Sequence, residues 1–162
     1  MPEATLNTMK KALALNLDPS KYGTVVEIGA GQEVARWFFQ AGATAGTVAK
    51  TMSAYDMKFS DDIYGSEPNG RYVSRTRLER MLTQEFDLLI SRLGRERAQT
   101  STYFAFANTV ATRGYQKRAE SHGWVGIRLQ GAPGAAPDEI ILHVRMLDDE
   151  NVEQQEALGI LG

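Results

Sequence analysis

The 162-residue chain contains no cysteine. That removes disulfide frameworks, thiolate nucleophiles and Cys-ligated zinc together. Histidine is nearly as scarce, with only His122 and His143. A protein-built zinc site would therefore have to lean on carboxylates, whereas a magnesium site of Asp and Glu stays open. An excess of one charge is also missing: 18 Lys and Arg against 20 Asp and Glu leave a net charge of −2. The whole-chain field of a nucleic-acid or anionic-membrane binder is absent, so nucleic acid is not an expected partner. Long hydrophobic runs are lacking too. The longest uncharged stretches, Trp37 to Ala49 and Ala98 to Thr112, fall short of the roughly 20 apolar residues of a membrane helix. Lys10-Lys11 precede only Ala12 to Leu17, too short for a secretory core. The expected address is the cytoplasm, with no membrane partner.

What is present is a 43% apolar composition, enough to bury one core in a single domain spanning 1–162. Leu6, Met9, Leu13 and Leu17 recur at helical spacing before Asp18-Pro19 ends the run. Thr24 to Ile28 is a β-branched run, Gly29-Ala30-Gly31 a turn, and Gln32 to Ala41 a helix with Val34, Trp37, Phe38 and Ala41 on one face. With Thr47 to Ser53 as the next strand, this predicts a β-α-β unit with parallel strands. Ala54 to Val73 is polar and turn-rich and reads as a long loop. Thr76 and Glu79 have capping-box spacing ahead of a stripe of Leu78, Leu82, Phe86, Leu89 and Leu93 that Gly94 closes. Three β-rich runs follow, Thr102 to Val110, Trp124 to Gln130 and Glu139 to Met146, the last two joined by a flexible Gly/Pro/Ala loop suited to a hairpin. Asn151 to Leu161 reads as a closing helix. The expected fold is therefore α/β: a mixed sheet starting with a β-α-β unit and continuing as antiparallel strands, with helices packed on it. The apolar end, Leu158 to Gly162, reads as the cut edge of a longer protein, of which this would be the N-terminal part.

Chemistry concentrates at three places. A strand entering Glu27-Ile28-Gly29-Ala30-Gly31 and leaving as a helix is the pattern by which backbone amides approach an anion. Gly29, Gly31, Gln32 and Glu33 are the binding candidates there. Lys50 and Arg145 are the cations that would complete a phosphate site. The turn also resembles the first motif of S-adenosylmethionine-dependent methyltransferases, although Val34 stands where a dinucleotide fingerprint has its third glycine. Second, Asp56, Asp61 and Asp62 are candidates for Mg2+. Third, Glu27 and His122 are the candidate proton carriers. The arginines and acids of the long helix alternate and read as a solvated, salt-bridged face.

Tyr22-Gly23 through Glu27-Ile28-Gly29-Ala30-Gly31-Gln32-Glu33-Val34-Ala35-Arg36, Ala49 to Asp56, Phe104 to Ala107, His122-Gly123-Trp124 and His143 to Asp148 together resemble an uncharacterised bacterial protein family. Its members are longer and carry conflicting labels, nicotinate-nucleotide adenylyltransferase and TonB-dependent receptor. The first label implies a His-x-Gly-His motif, and His122-Gly123-Trp124 lacks the second histidine. The second implies an export signal and an array of membrane strands, and this segment shows neither. The leading expectation is an intracellular domain binding a nucleotide or other phosphate-bearing small molecule at the glycine turn. If it is an enzyme, it is a nucleotidyl or other group transferase. The alternatives are a methyltransferase-like domain and a non-catalytic assembly module, whose apolar closing helix docks on a missing C-terminal region or a second copy.

Overall fold

The computed structural model describes residues 2–115 and 120–162. Five strands, β1 (Lys21–Gly29), β2 (Val48–Ala54), β3 (Thr102–Ala111), β4 (His122–Gln130) and β5 (Pro137–Arg145), form one sheet in the order β2-β1-β3-β4-β5. β1 runs parallel to both β2 and β3, while β4 runs antiparallel to both β3 and β5. The expected β-α-β start and antiparallel continuation are both present. Strand β1 lies inside the sheet and is covered on both sides, which is why Thr24 to Ile28 is a continuous buried run rather than an alternation.

Helices α1 (Pro2–Asn16), α2 (Glu33–Ala41) and α5 (Asn151–Leu161) lie on one face, and α3 (Met57–Tyr64) and α4 (Arg75–Arg97) on the other. Under α4, Val26, Ile28, Ala54 and Ala107 pack against Leu78, Met81 and Leu82, and the cluster extends along the helix through Phe86 and Leu89 to Tyr103 and Ala105. On the opposite face Val25, Phe106, Val110 and Val125 meet Val34 of α2 and Leu158 of α5. Alternate residues along each strand thus serve two separate cores. No helix among the described residues is long and apolar enough to cross a membrane.

Four local expectations are corrected. The segment Ala54 to Val73 is not all loop, because it holds α3, which Asp56 caps by accepting from the Phe59 amide at 2.9 Å. Helix α4 is capped by Ser74, whose hydroxyl accepts from the Arg77 amide at 3.1 Å, and Thr76 already lies inside it. It also runs past Gly94 to Arg97. An interior glycine costs only about 1 kcal/mol, and Leu93, packed beside Tyr22 and holding the Tyr103 hydroxyl on its carbonyl at 2.9 Å, keeps the turn in place. Finally, α1 buries Ala12 and Asn16, while Leu17 falls beyond its end and is exposed. Asn16 Nδ2 donates to the Phe38 and Gly42 carbonyls at 3.0 and 2.8 Å and so closes the end of α2.

Candidate functional site

The glycine turn joins β1 to α2 as expected, and its geometry explains the glycines. Gly29 has φ of +76°, and a side chain there would land on the Val110 carbonyl oxygen. A Cβ at Gly31 would come within 2.6 Å of Asn108 Oδ1. The turn is thus packed tightly against β3. Glu27, the last acid of β1, is 1% exposed and turns its carboxylate to the start of α2. There it accepts from the amides of Val34 and Ala35 at 3.1 and 3.2 Å, and from Asn108 Nδ2 at 3.0 Å. Asn108 Nδ2 also donates to the Gly31 carbonyl at 2.8 Å. Two of the amides at the start of α2, where an anionic guest would bind, therefore already hold a carboxyl group belonging to the chain itself. Burial pushes the Glu27 carboxyl up to about 7, against the pull of the three donors around it.

Around this turn the other candidates divide. Gln32 folds back, its Nε2 donating to the Gly29 carbonyl at 3.1 Å. Glu33 pairs with Arg36 at 3.4 Å and lines a groove of about 580 Å³ between α2 and α5. Lys50 does not reach it. It stands opposite Thr24, five residues before Gly29, and is paired with Glu85 of α4 at 2.6 Å. Arg145 is on β5, three strands from β1, and pairs with Glu120 at 3.1 Å. Lys50 and Arg145 thus sit on opposite edge strands, about 19 Å apart at the usual strand spacing, and the expected convergence of cations is corrected.

The three aspartates expected to hold Mg2+ are each placed in a different setting. Asp56 is the α3 cap, Asp61 is held by the Arg77 guanidinium, and Asp62 is exposed. Among the described residues no group of three or more His, Asp or Glu converges. His122 and Glu27 do not cooperate either: His122 shares the α4 face with Trp124, whereas Glu27 points to α2 on the other side of the sheet. His122 Nδ1 instead meets His143 Nε2 at 3.1 Å, and the His143 ring stacks on Trp124 with centroids 4.3 Å apart. Burial and the neighbouring His143 hold the His122 imidazole below its ordinary value.

Asn108 was not singled out by the sequence reading, although a lone amide in the run Phe104 to Val110 was its available signal. A second network was assigned to solvent and is buried. Arg77 is 0% exposed and donates from Nη1 to the Ser60 carbonyl and hydroxyl at 2.9 and 3.0 Å and from Nη2 to the Gly65 carbonyl at 2.8 Å. Glu85 is buried too, accepting from the Tyr64 hydroxyl at 2.8 Å besides Lys50; burial first and Glu85 second push the Tyr64 phenol up. Arg77, Met81 and Glu85 are spaced at four residues and share the sheet-facing side of α4. The charge alternation along the helix concealed that stripe.

No protein-family model matches the sequence, and no curated protein matches it. Solved structures do. The competence/damage-inducible protein CihA of Agrobacterium tumefaciens superposes with a TM-score of 0.66 over 98% of this chain and 90% of its own, at 17% identity. A CinA-superfamily protein of Escherichia coli gives 0.58 over 97% and 83% at 14% identity, and one of Enterobacter cloacae gives 0.55 over 94% and 86% at 17%. Neither of the two labels named above is among these neighbours. At such identities the likeness is one of fold: this chain has the mixed α/β fold of the competence-damage-inducible CinA proteins.

Proposed function

We propose that this domain is a non-catalytic assembly module, a CinA-like fold whose ligand-shaped turn is closed by its own side chains. The observation that carries the reading is the Glu27 carboxylate seated on the Val34 and Ala35 amides. A carboxyl of the chain itself in that position already accepts from the helix N-terminus, and it opposes entry of a phosphate by occupancy and, once ionised above about pH 7, by repulsion as well. The dispersal of Lys50, His122, Arg145 and the three aspartates points the same way. A nucleotide or S-adenosylmethionine reading of the same turn requires Glu27 to leave the α2 amides, and the two readings separate in one experiment.

Thermal unfolding with ATP, NAD or S-adenosylmethionine, with and without Mg2+, is expected to leave the melting temperature unchanged. A ligand at about 100 times its dissociation constant stabilises a native state by about 2.7 kcal/mol, a shift easily read in a domain of this size. A reproducible rise that Glu27→Gln enhances would overturn the assembly reading and restore the anion site.

A further inference from the structure

We propose that the outer edge of β5 pairs with the same edge of a second copy of this chain, antiparallel about a two-fold axis at Leu142, so that two five-stranded sheets join into one. The inference rests on the assembly reading and names its partner. It also relocates the surface. The closing helix α5, expected to offer an apolar face, buries Gln154, Leu158 and Gly159 against the domain, whereas β5 leaves Ile140 and Leu142 exposed at 54% and 44%.

Strand β5 is nine residues long and, among the described residues, pairs only with β4. The Met146 amide continues that ladder by donating to the Ser121 carbonyl at 3.0 Å, which marks Ser121 and Met146 as a hydrogen-bonded pair. Alternation along an antiparallel ladder then turns the amides and carbonyls of Glu139, Ile141, His143 and Arg145 outward. An edge of this length is a template for another strand unless something blocks it, and β5 carries no lysine and no proline after Pro137.

Its charges select the partner and the register. With the axis at Leu142, Glu139 of each copy stands opposite Arg145 of the other, Ile140 opposite Val144, and Leu142 opposite itself. The Glu139–Arg145 pair thus forms twice, once on each side of the axis, and three apolar pairs share one face. Moving the axis to Ile141 sets Glu139 against His143 and deprives Arg145 of a counter-charge; moving it to His143 sets the two histidines face to face. The charged side chains are accessible for the exchange: within one chain Glu139 meets Arg128 at 3.4 Å and Arg145 meets Glu120 at 3.1 Å, with 30% and 67% of the two β5 side chains exposed. Because the contact is isologous it closes at two copies.

The test is the mass of the 162-residue chain in solution, by sedimentation or light scattering across a range of concentrations. The expected species has twice 17.9 kDa. Leu142→Lys sets two ammonium groups on the axis and is expected to give a folded monomer. Glu139→Arg and Arg145→Glu each create two like-charge pairs and are expected to weaken the dimer about tenfold, while the doubly substituted chain regains it. A wild-type chain that stays monomeric, a dimer indifferent to all three changes, or single variants not rescued by their combination would each overturn the proposal. Circular dichroism of every variant separates lost pairing from lost folding. A monomer that also ignores nucleotides removes the β5 contact alone, whereas a nucleotide response removes the assembly reading whatever the mass.

Discussion

Glu27 concentrates the physics of this molecule in one side chain. Its folded value of about 7 lies above the ordinary 4.5, so the folded state holds a proton that the unfolded state releases. Stability from this group is fully present below about pH 4.5 and is lost as pH rises through about 7, a contribution of roughly 3 kcal/mol. Urea unfolding of wild type is expected to show that decline between pH 5 and 8. Glu27→Gln should flatten it, at a cost of about 1 kcal/mol at low pH because one of the two helix amides loses its acceptor. A decline of equal size in the variant would place the titrating group elsewhere. The sequence revealed Glu27 and the glycines as a unit but not their purpose. A carboxylate two residues before Gly29 looks the same in sequence whether it awaits a ligand or replaces one, and its contacts with the Val34 and Ala35 amides and with Asn108, 81 residues away, form only in the folded chain.

At the scale of elements, the strands were legible because their β-branched runs are long and the hairpin loop has a composition no helix tolerates. The helix ends were less so, since caps depend on backbone geometry that several nearby hydroxyls could supply. Ser74 and Thr76 make the contrast measurable. Ser74→Ala removes the hydroxyl that holds the Arg77 amide and is expected to cost about 1 kcal/mol; Thr76→Ala, inside the first turn, should change stability by a few tenths at most. Equal losses would show that Ser74 does not cap α4. Helix α3 escaped notice for a related reason. It has eight residues, only Ser60 and Tyr64 buried, and besides Ile63 and Tyr64 packing into the core at its end, its hold on α4 is polar, from the Arg77 guanidinium on Ser60 and Asp61 and from the Tyr64 hydroxyl on Glu85. Periodicity of hydrophobic residues cannot signal a helix fastened largely by polar contacts.

For the whole molecule, the order β2-β1-β3-β4-β5 leaves two edges, and the proposed pairing places the second copy at β5. Sequence alone showed Glu139 to Met146 as a β-rich run; that the strand lies outermost is a property of the sheet order. If the β5 pair persists up to the melting transition, unfolding is coupled to dissociation and the melting temperature must rise with protein concentration. An average unfolding entropy of about 2.1 cal/mol/K per residue, applied to two chains of this length, against about 1.4 kcal/mol for each tenfold change in concentration, gives a rise of about 2 °C per decade. Calorimetry over two decades should therefore resolve about 4 °C for wild type. Leu142→Lys should melt at one temperature throughout, at or below that of the most dilute wild-type sample. Parallel behaviour of the two chains would mean that the edge contributes nothing to the folded state, since mass action admits no other way for a dimer-breaking lysine to leave the slope intact.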